Sequence, residues 1–218
     1  KCQRKVAVYG SIFSGEDRTM YVARILYPVE VLGPGKRIGI WFCGCPHKCK
    51  GCSNPELWDF QDKYNVSLET VMVLVTSIAK DNQVDGFTIT GGDPMYQAEE
   101  LQRLLALLRE INSDILVYTG YEIEELSDHQ LKNISVLIDG KYIEERNNNC
   151  ILRGSDNQRI HILNVDMQEK YNEYLKNTSN QIQNFSTSEG IASVGIHKPN
   201  FLDDLNSKIV LKGINGNE

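Results

Sequence analysis

Two spacings of apolar residues alternate along the chain. IGIWF (38–42), GFTIT (86–90), ILVYT (115–119) and VLIDG (136–140) are short, β-rich runs bounded by turn residues, and they predict buried strands. Between them the period lengthens. Leu68, Val71, Met72, Val75, Ile78 and Ala79 recur at helical spacing behind Ser67, a residue suited to capping, and predict a helix through about residue 82. Leu101, Leu104, Leu105, Leu108 and Ile111 predict a second over 97–112. EIEEL (122–126) reads as a short helical piece.

This βαβαβ order predicts an α/β fold, with a parallel sheet and covering helices. Ligands of such sheets bind outside the carboxyl ends of the strands. The unusual residues collect there. A cysteine-rich loop follows the first strand and Gly91-Gly92-Asp93-Pro94 the second. Thr119-Gly120-Tyr121 and Asp139-Gly140-Lys141 follow the next two. Their convergence argues for a site more strongly than any one motif.

Residues 165–218 read as an extension. NEYLKNTSNQIQNFSTSEG (172–190) is polar and predicts a short helix and a loop. A strand, a turn and a helix start are expected over 192–205, and KIVLKGI (208–214) reads as a last strand. The expected organisation is a core over 1–164 and an extension over 165–218.

Composition narrows the function classes. The chain has 218 residues, 41% hydrophobic and 24% charged, enough for one good core. A net charge of −6 gives no basic footprint, so no nucleic-acid partner is expected. No apolar run approaches membrane-spanning length, and the polar first residues do not have the shape of an export signal. Six cysteines, three of them clustered, suit a reducing cytoplasm. Cys2 and Cys150 read as ordinary thiols.

The chemistry centres on FCGCPHKCKGCSNPELWDF (42–60), where Cys45, Cys49 and Cys52 have the spacing C-x3-C-x2-C. Three thiolates can hold three irons of a [4Fe-4S] cluster and leave the fourth open to a small molecule. A zinc site built from Cys45, His47, Cys49 and Cys52 is the alternative, although zinc ligands usually come as separated pairs. A disulfide is a third reading, without a second cysteine framework to support it. Cys43 lies on the same side of an extended chain as Cys45. A fourth protein ligand would close the open iron, so Cys43 is read as a non-ligand.

The triad resembles that of the radical SAM superfamily. The wider stretch GPGKRIGIWFCGCPHKCKGCSNPELWDF (33–60) resembles the activating enzymes of glycyl-radical proteins, above all those of anaerobic ribonucleotide reductase. Its Gly33-Pro34-Gly35, Arg37, Asn54-Pro55 and Trp58 fit that family's lead-in and tail. TITGGDPMYQ, LVYTGYEIEEL, VLIDGKYIEE and LRGSDNQR extend the likeness over roughly residues 20–164. Cys43 departs from it, because a polar residue is usual there.

The resemblance implies an incomplete (βα) parallel barrel of the radical SAM type. It implies that Cys45, Cys49 and Cys52 hold the cluster and that the backbone of Gly91, Gly92, Asp93 and Pro94 binds the amino group of S-adenosylmethionine. By itself GGDP reads first as a strand-to-helix turn with Pro94 opening the helix, and its place after a buried strand, downstream of the cysteine triad, reverses that preference. Thr119 and Tyr121 are pocket or turn residues, and Asp139 and Lys141 cofactor contacts or a turn. Arg153 and Arg159 fit either a solvated loop or a cofactor or partner contact. His129, His161 and His197 have no metal-like spacing and read as structural or surface residues. Trp58 shields the cluster or anchors its loop.

The function implied is reductive cleavage of S-adenosylmethionine to a 5′-deoxyadenosyl radical, with a flavodoxin or ferredoxin type electron donor. The radical would then abstract hydrogen from a backbone glycine of a partner, such as anaerobic ribonucleotide reductase. A radical SAM modifier of a small molecule or peptide is the second reading. An iron-sulfur electron-transfer or sensor module is the third, and it leaves GGDP without a role.

Overall fold

The computed structural model describes residues 19–177, 179–187, 190–199 and Phe201. Cys2 and the strand expected at 208–214 lie outside the described residues. The elements in chain order are β1 (Thr19–Val29), β2 (Arg37–Phe42), β3 (Asn65–Ser67), α1 (Leu68–Asp81), β4 (Gly86–Gly91), α2 (Ala98–Arg109), β5 (Ile115–Tyr118), α3 (Asp128–Leu131), β6 (Val136–Asp139), β7 (Arg159–Ile162), α4 (Gln168–Tyr174), β8 (Ile182–Thr187) and β9 (Gly190–Gly195). EIEEL forms a 3-10 turn over Ile123–Glu125.

Seven strands form one sheet in the order β3-β1-β2-β4-β5-β6-β7. The four strands expected from the apolar runs, β2, β4, β5 and β6, are mutually parallel neighbours at its centre. β1 and β3 add antiparallel strands on one side and β7 on the other, so the sheet is mixed and open-edged. These three escaped the sequence reading. β1 is largely half-buried and its pairing with β2 shifts register twice. β7 is half-buried along its whole length.

The alternation of side chains divides the core. Ile38, Ile40, Phe42, Phe87, Ile89, Ile115, Val117 and Leu137 face one side. There α1 covers them with Val71 and Val75, and α2 with Leu101, Leu104, Leu105 and Leu108. The Ser67 hydroxyl caps α1 by accepting from the Thr70 N–H. On the other side Leu116, Val136 and Ile138 pack with Leu152 and with Tyr171 of α4. Val29, Val31, Leu32, Trp41, Cys43 and Leu57 pack with Val194, Phe185 and Ile196.

The stretch 172–190, expected as a short helix and a loop, begins in α4 but continues into β8. β8 pairs antiparallel with β9 as a hairpin. One face of β8 is exposed, so its polar residues conceal a strand.

Opposite the strand ends that carry the unusual residues, Arg37 is fully buried. Its guanidinium donates to Thr88 Oγ1, to the Pro34, Phe87 and Asp114 carbonyls, and to both carboxylate oxygens of Asp114. Lys170 Nζ and the Tyr171 hydroxyl of α4 donate to the same carboxylate, at 2.6 and 2.7 Å. Burial works to raise the Asp114 pKa, but Arg37 and these donors outweigh it and hold the group below the usual carboxylate range. Among the described residues, no helix is long and apolar enough to cross a membrane.

Candidate cluster and cofactor cavity

β2 delivers the chain directly into the cysteine loop. The Gly44 and Cys45 N–H groups donate to the Leu57 and Trp58 carbonyls, so the loop closes on its own tail. Left-handed backbone at Lys48 (φ 46°) and Gly51 (φ 70°) bends the chain just before Cys49 and Cys52. Cys45, Cys49 and Cys52 are free, half-buried thiols. All three line one cavity of about 180 Å³, which also takes in Gly91, Gly92, Asp93, Thr119, Gly120, Gly140 and Trp58. It lies at the carboxyl ends of β2, β4, β5 and β6, where the sequence placed it.

Burial pushes the Cys45 and Cys49 thiols up. The backbone N–H groups of His47 and Lys48 oppose this at Cys45, and that of Tyr142 does so at Cys49. Such N–H groups stabilise the thiolate form that an iron ligand needs. Among the described residues no trio of His, Cys, Asp or Glu is arranged to hold a single metal ion. Thiolates that each bind a different iron of a cluster have no need to converge in that way.

Among the described residues, the neighbouring side chains offer no fourth protein ligand. Cys43 is buried among Val29, Trp41 and Leu57, and its Sγ donates to the Asp59 carbonyl. His47 turns towards Asp93, with Nε2 at 2.9 Å from Oδ2, and meets the Tyr121 ring edge-on. The donor set is thus three thiols beside an open cavity, which fits a [4Fe-4S] cluster with one free iron.

The GGDP turn closes over the same loop. The Gly92 N–H donates to the Phe42 carbonyl and the Asp93 N–H to the Gly44 carbonyl, both at 2.7 Å. Gly91 has φ +110°, and a Cβ there would lie 2.4 Å from the Phe42 carbonyl oxygen. A Cβ on Gly92 would lie 2.4 Å from the Gly44 oxygen. Both glycines are therefore required by the approach of two backbone segments, before any ligand enters. The Asp93 side chain is 1% exposed and is committed to the protein. It accepts from the Met95 N–H, the Thr119 hydroxyl and the Gly120 N–H.

The remaining expected residues are placed differently. Pro94 opens a 3-10 turn and is buried outside the cavity lining. Asp139 also lies outside it, fully buried, accepting from the Ile123 N–H and paired with Arg159 and His161. Arg159 spans Asp139 and Glu124. Arg153 donates to the Gln158 carbonyl. Lys141 is exposed, outside the lining, with its charge acting on Cys49. His197, expected as structural or surface, lines the cavity together with Ser193, Val194, Gly195 and Ile196. Nothing in a polar tail foretold this, because the contact depends on the fold-back of the hairpin.

A 4Fe-4S single cluster domain matches residues 31–161. The anaerobic ribonucleoside-triphosphate reductase-activating protein of Enterobacteria phage T4 is 38% identical over 141 residues, covering 62% of this chain and 90% of the phage protein. Its namesake from Vibrio cholerae is 37% identical over 147 residues, covering 62% and 94%. That of Escherichia coli K12 is 32% identical over 149 residues, covering 63% and 96%. The chain belongs to this activating-protein family. A likeness to the solved structure of QueE from Escherichia coli (TM-score 0.40, 20% identity, 47% of this chain and 52% of that one) is too loose to bear on the fold. The hairpin β8–β9 lies beyond residues 31–161, which the cluster domain matches.

Proposed function

We propose that this chain is a radical SAM activase that installs a glycyl radical on an anaerobic ribonucleotide reductase. The observation that carries the reading is the sharing of one cavity by three free thiols and the backbone of Gly91 and Gly92. Cys45, Cys49 and Cys52 would hold the cluster. When bound there, the cluster would supply the one-electron chemistry of reductive S-adenosylmethionine cleavage to methionine and a 5′-deoxyadenosyl radical, the electron coming from a flavodoxin or ferredoxin type donor and the radical serving to take hydrogen from the partner glycine. The parallel centre and open edges of the sheet support reading it as an incomplete barrel of that superfamily's type.

The protein's own residues position and shelter. The bends at Lys48 and Gly51 present the thiols, and the Tyr142 N–H faces Cys49. Asp93 fixes the turns of β4 and β5 against the cysteine loop. Trp58 forms part of the wall and restricts water.

The test mixes anaerobically reconstituted protein, a strong reductant, S-adenosylmethionine and the co-encoded candidate reductase. A persistent electron paramagnetic resonance doublet is expected, and it should lose its splitting when the partner glycine is deuterated at Cα. Turnover of a small molecule or free peptide without any such doublet would favour the radical SAM modifier instead.

A further inference from the structure

The cysteine loop and the strand ends account for two walls of the cavity. Residues 193–197 supply another, and they come from the hairpin strand β9 and the two residues that follow it. The hairpin is fastened on both flanks. On one, Gln183 accepts from the Glu30 N–H at 3.0 Å and donates to the Pro28 carbonyl at 2.7 Å. On the other, Asn147 Nδ2 donates to the His197 carbonyl at 2.8 Å, and Asn180 Nδ2 donates to the Asn149 and Cys150 carbonyls. Val194, 4% exposed, packs with Trp41 and Leu32 beneath it. The wall is thus seated by packing and by hydrogen bonds from both sides.

Two of its side chains carry hydrogen-bonding groups into the cavity lining. Ser193 Oγ and His197 Nε2 are 3.1 Å apart, and the imidazole lies tilted against the Phe201 ring with centroids 4.3 Å apart. Burial pushes the His197 imidazole below its usual range, so it is neutral near pH 7. Among the described residues, the rest of the lining contains no Lys, Arg or Glu, and the one carboxylate there, Asp93, already accepts from three donors. A phosphate or carboxylate group held against this hairpin wall would be desolvated with no cationic side chain in the lining to pair with it. Peptide amide groups are uncharged, and a serine hydroxyl and a neutral imidazole can satisfy both their N–H and their C=O.

We propose that Ser193 and His197 are specificity-determining residues, which hold the hydrogen-atom donor as an uncharged, extended main-chain segment by hydrogen-bonding its amide groups. This rests on the activase reading, and it assigns the selection of the donor to the hairpin rather than to the cluster domain.

Two measurements on the cluster-loaded, full-length chain test it. The first is the dissociation constant of a labelled synthetic peptide spanning the candidate reductase's glycine loop, by equilibrium dialysis without S-adenosylmethionine. The second is the dependence of glycyl-radical formation on reductase concentration. Ser193→Ala and His197→Ala should each weaken peptide binding and raise the KM for reductase by about five- to tenfold, the loss of one or two hydrogen bonds. The maximal radical yield should change much less. His197→Gln, which stays neutral and keeps a donor and an acceptor, should restore most of both. A histidine that only held the hairpin in place would lower yield and thermal stability together and would not be rescued by Gln. Unchanged binding and KM in the folded Ala variants, with the wild type active, would overturn the inference alone. A wild type that cleaves S-adenosylmethionine but yields no partner radical would overturn the activase reading and this inference with it.

Discussion

His47 Nε2 lies 2.9 Å from Asp93 Oδ2, and this contact joins the cysteine loop to the turn after β4. His47 sits between Cys45 and Cys49, while Asp93 is held from its other side by Thr119 and Gly120. Three successive strand ends are therefore tied through one carboxylate. The cluster loop does not hang free from β2 but is referenced to β4 and β5.

Asp93→Asn should test that tie. An amide offers one acceptor oxygen in place of two, and turns its NH2 towards groups that donate. The cost is expected to be about 2–3 kcal/mol in urea unfolding of the cluster-free chain, because buried donors lose their acceptor. Reconstituted iron should also be lost faster to a chelator. Equal stability and equal iron retention would show that the carboxylate is dispensable.

Gly92→Ala is expected to damage the protein before cofactor is added. The new Cβ would meet the Gly44 carbonyl oxygen at 2.4 Å, so one backbone must move. A loss of about 1–3 kcal/mol is expected from the overpacking. Thermal unfolding of the cluster-free variant checks it. If stability were unchanged and only S-adenosylmethionine binding fell, the glycine would serve the ligand alone.

The four cysteines at and near the site should divide sharply. Cys45→Ala, Cys49→Ala and Cys52→Ala should each abolish the absorbance and iron content of a cluster that otherwise holds about four irons. Cys43→Ala should retain it, because that thiol is spent on the Asp59 carbonyl in a separate apolar cluster. One tightly held zinc and no iron after reconstitution would refute the cluster altogether.

Much of this was legible in the sequence, for identifiable reasons. β2, β4, β5 and β6 are buried on both faces, so they stand out as apolar runs. The cysteine triad and Gly91-Gly92 are compact local patterns, and strand order alone brings them to one end of the sheet. β8 was illegible because IQNFST has a single half-buried face and polar residues on both. The pairing of Asp139 with Arg159 and the placing of His197 needed the third dimension. Neither leaves a mark in local spacing, and Arg159 reads equally well as a free cation.

Acid should weaken the opposite end of the sheet through Asp114. Its folded pKa lies below the unfolded one, so the stabilisation is present above the unfolded value, about 3.9, and is lost as pH falls through the folded value. Asp114→Asn leaves the Arg37 guanidinium buried without its counter-charge, at a cost of about 3–5 kcal/mol near neutrality. Urea midpoints of wild type and variant should converge as the pH drops below about 4. A gap that stayed constant down to pH 2 would assign the effect to packing.

The Tyr171 hydroxyl bonds Asp114 at one pole of the sheet, and further along the chain residues 193–197 line the cavity at the other. The chain beyond β7 thus acts as a strap buckled at both ends. Trimming it to the length of the shorter relatives would not yield a simplified enzyme with a wider entrance. It would unfasten the sheet at the far pole and strip apolar cover from Leu116, Val136 and Ile138 in the same cut. Probing the doorway of this protein calls for point changes in an intact strap.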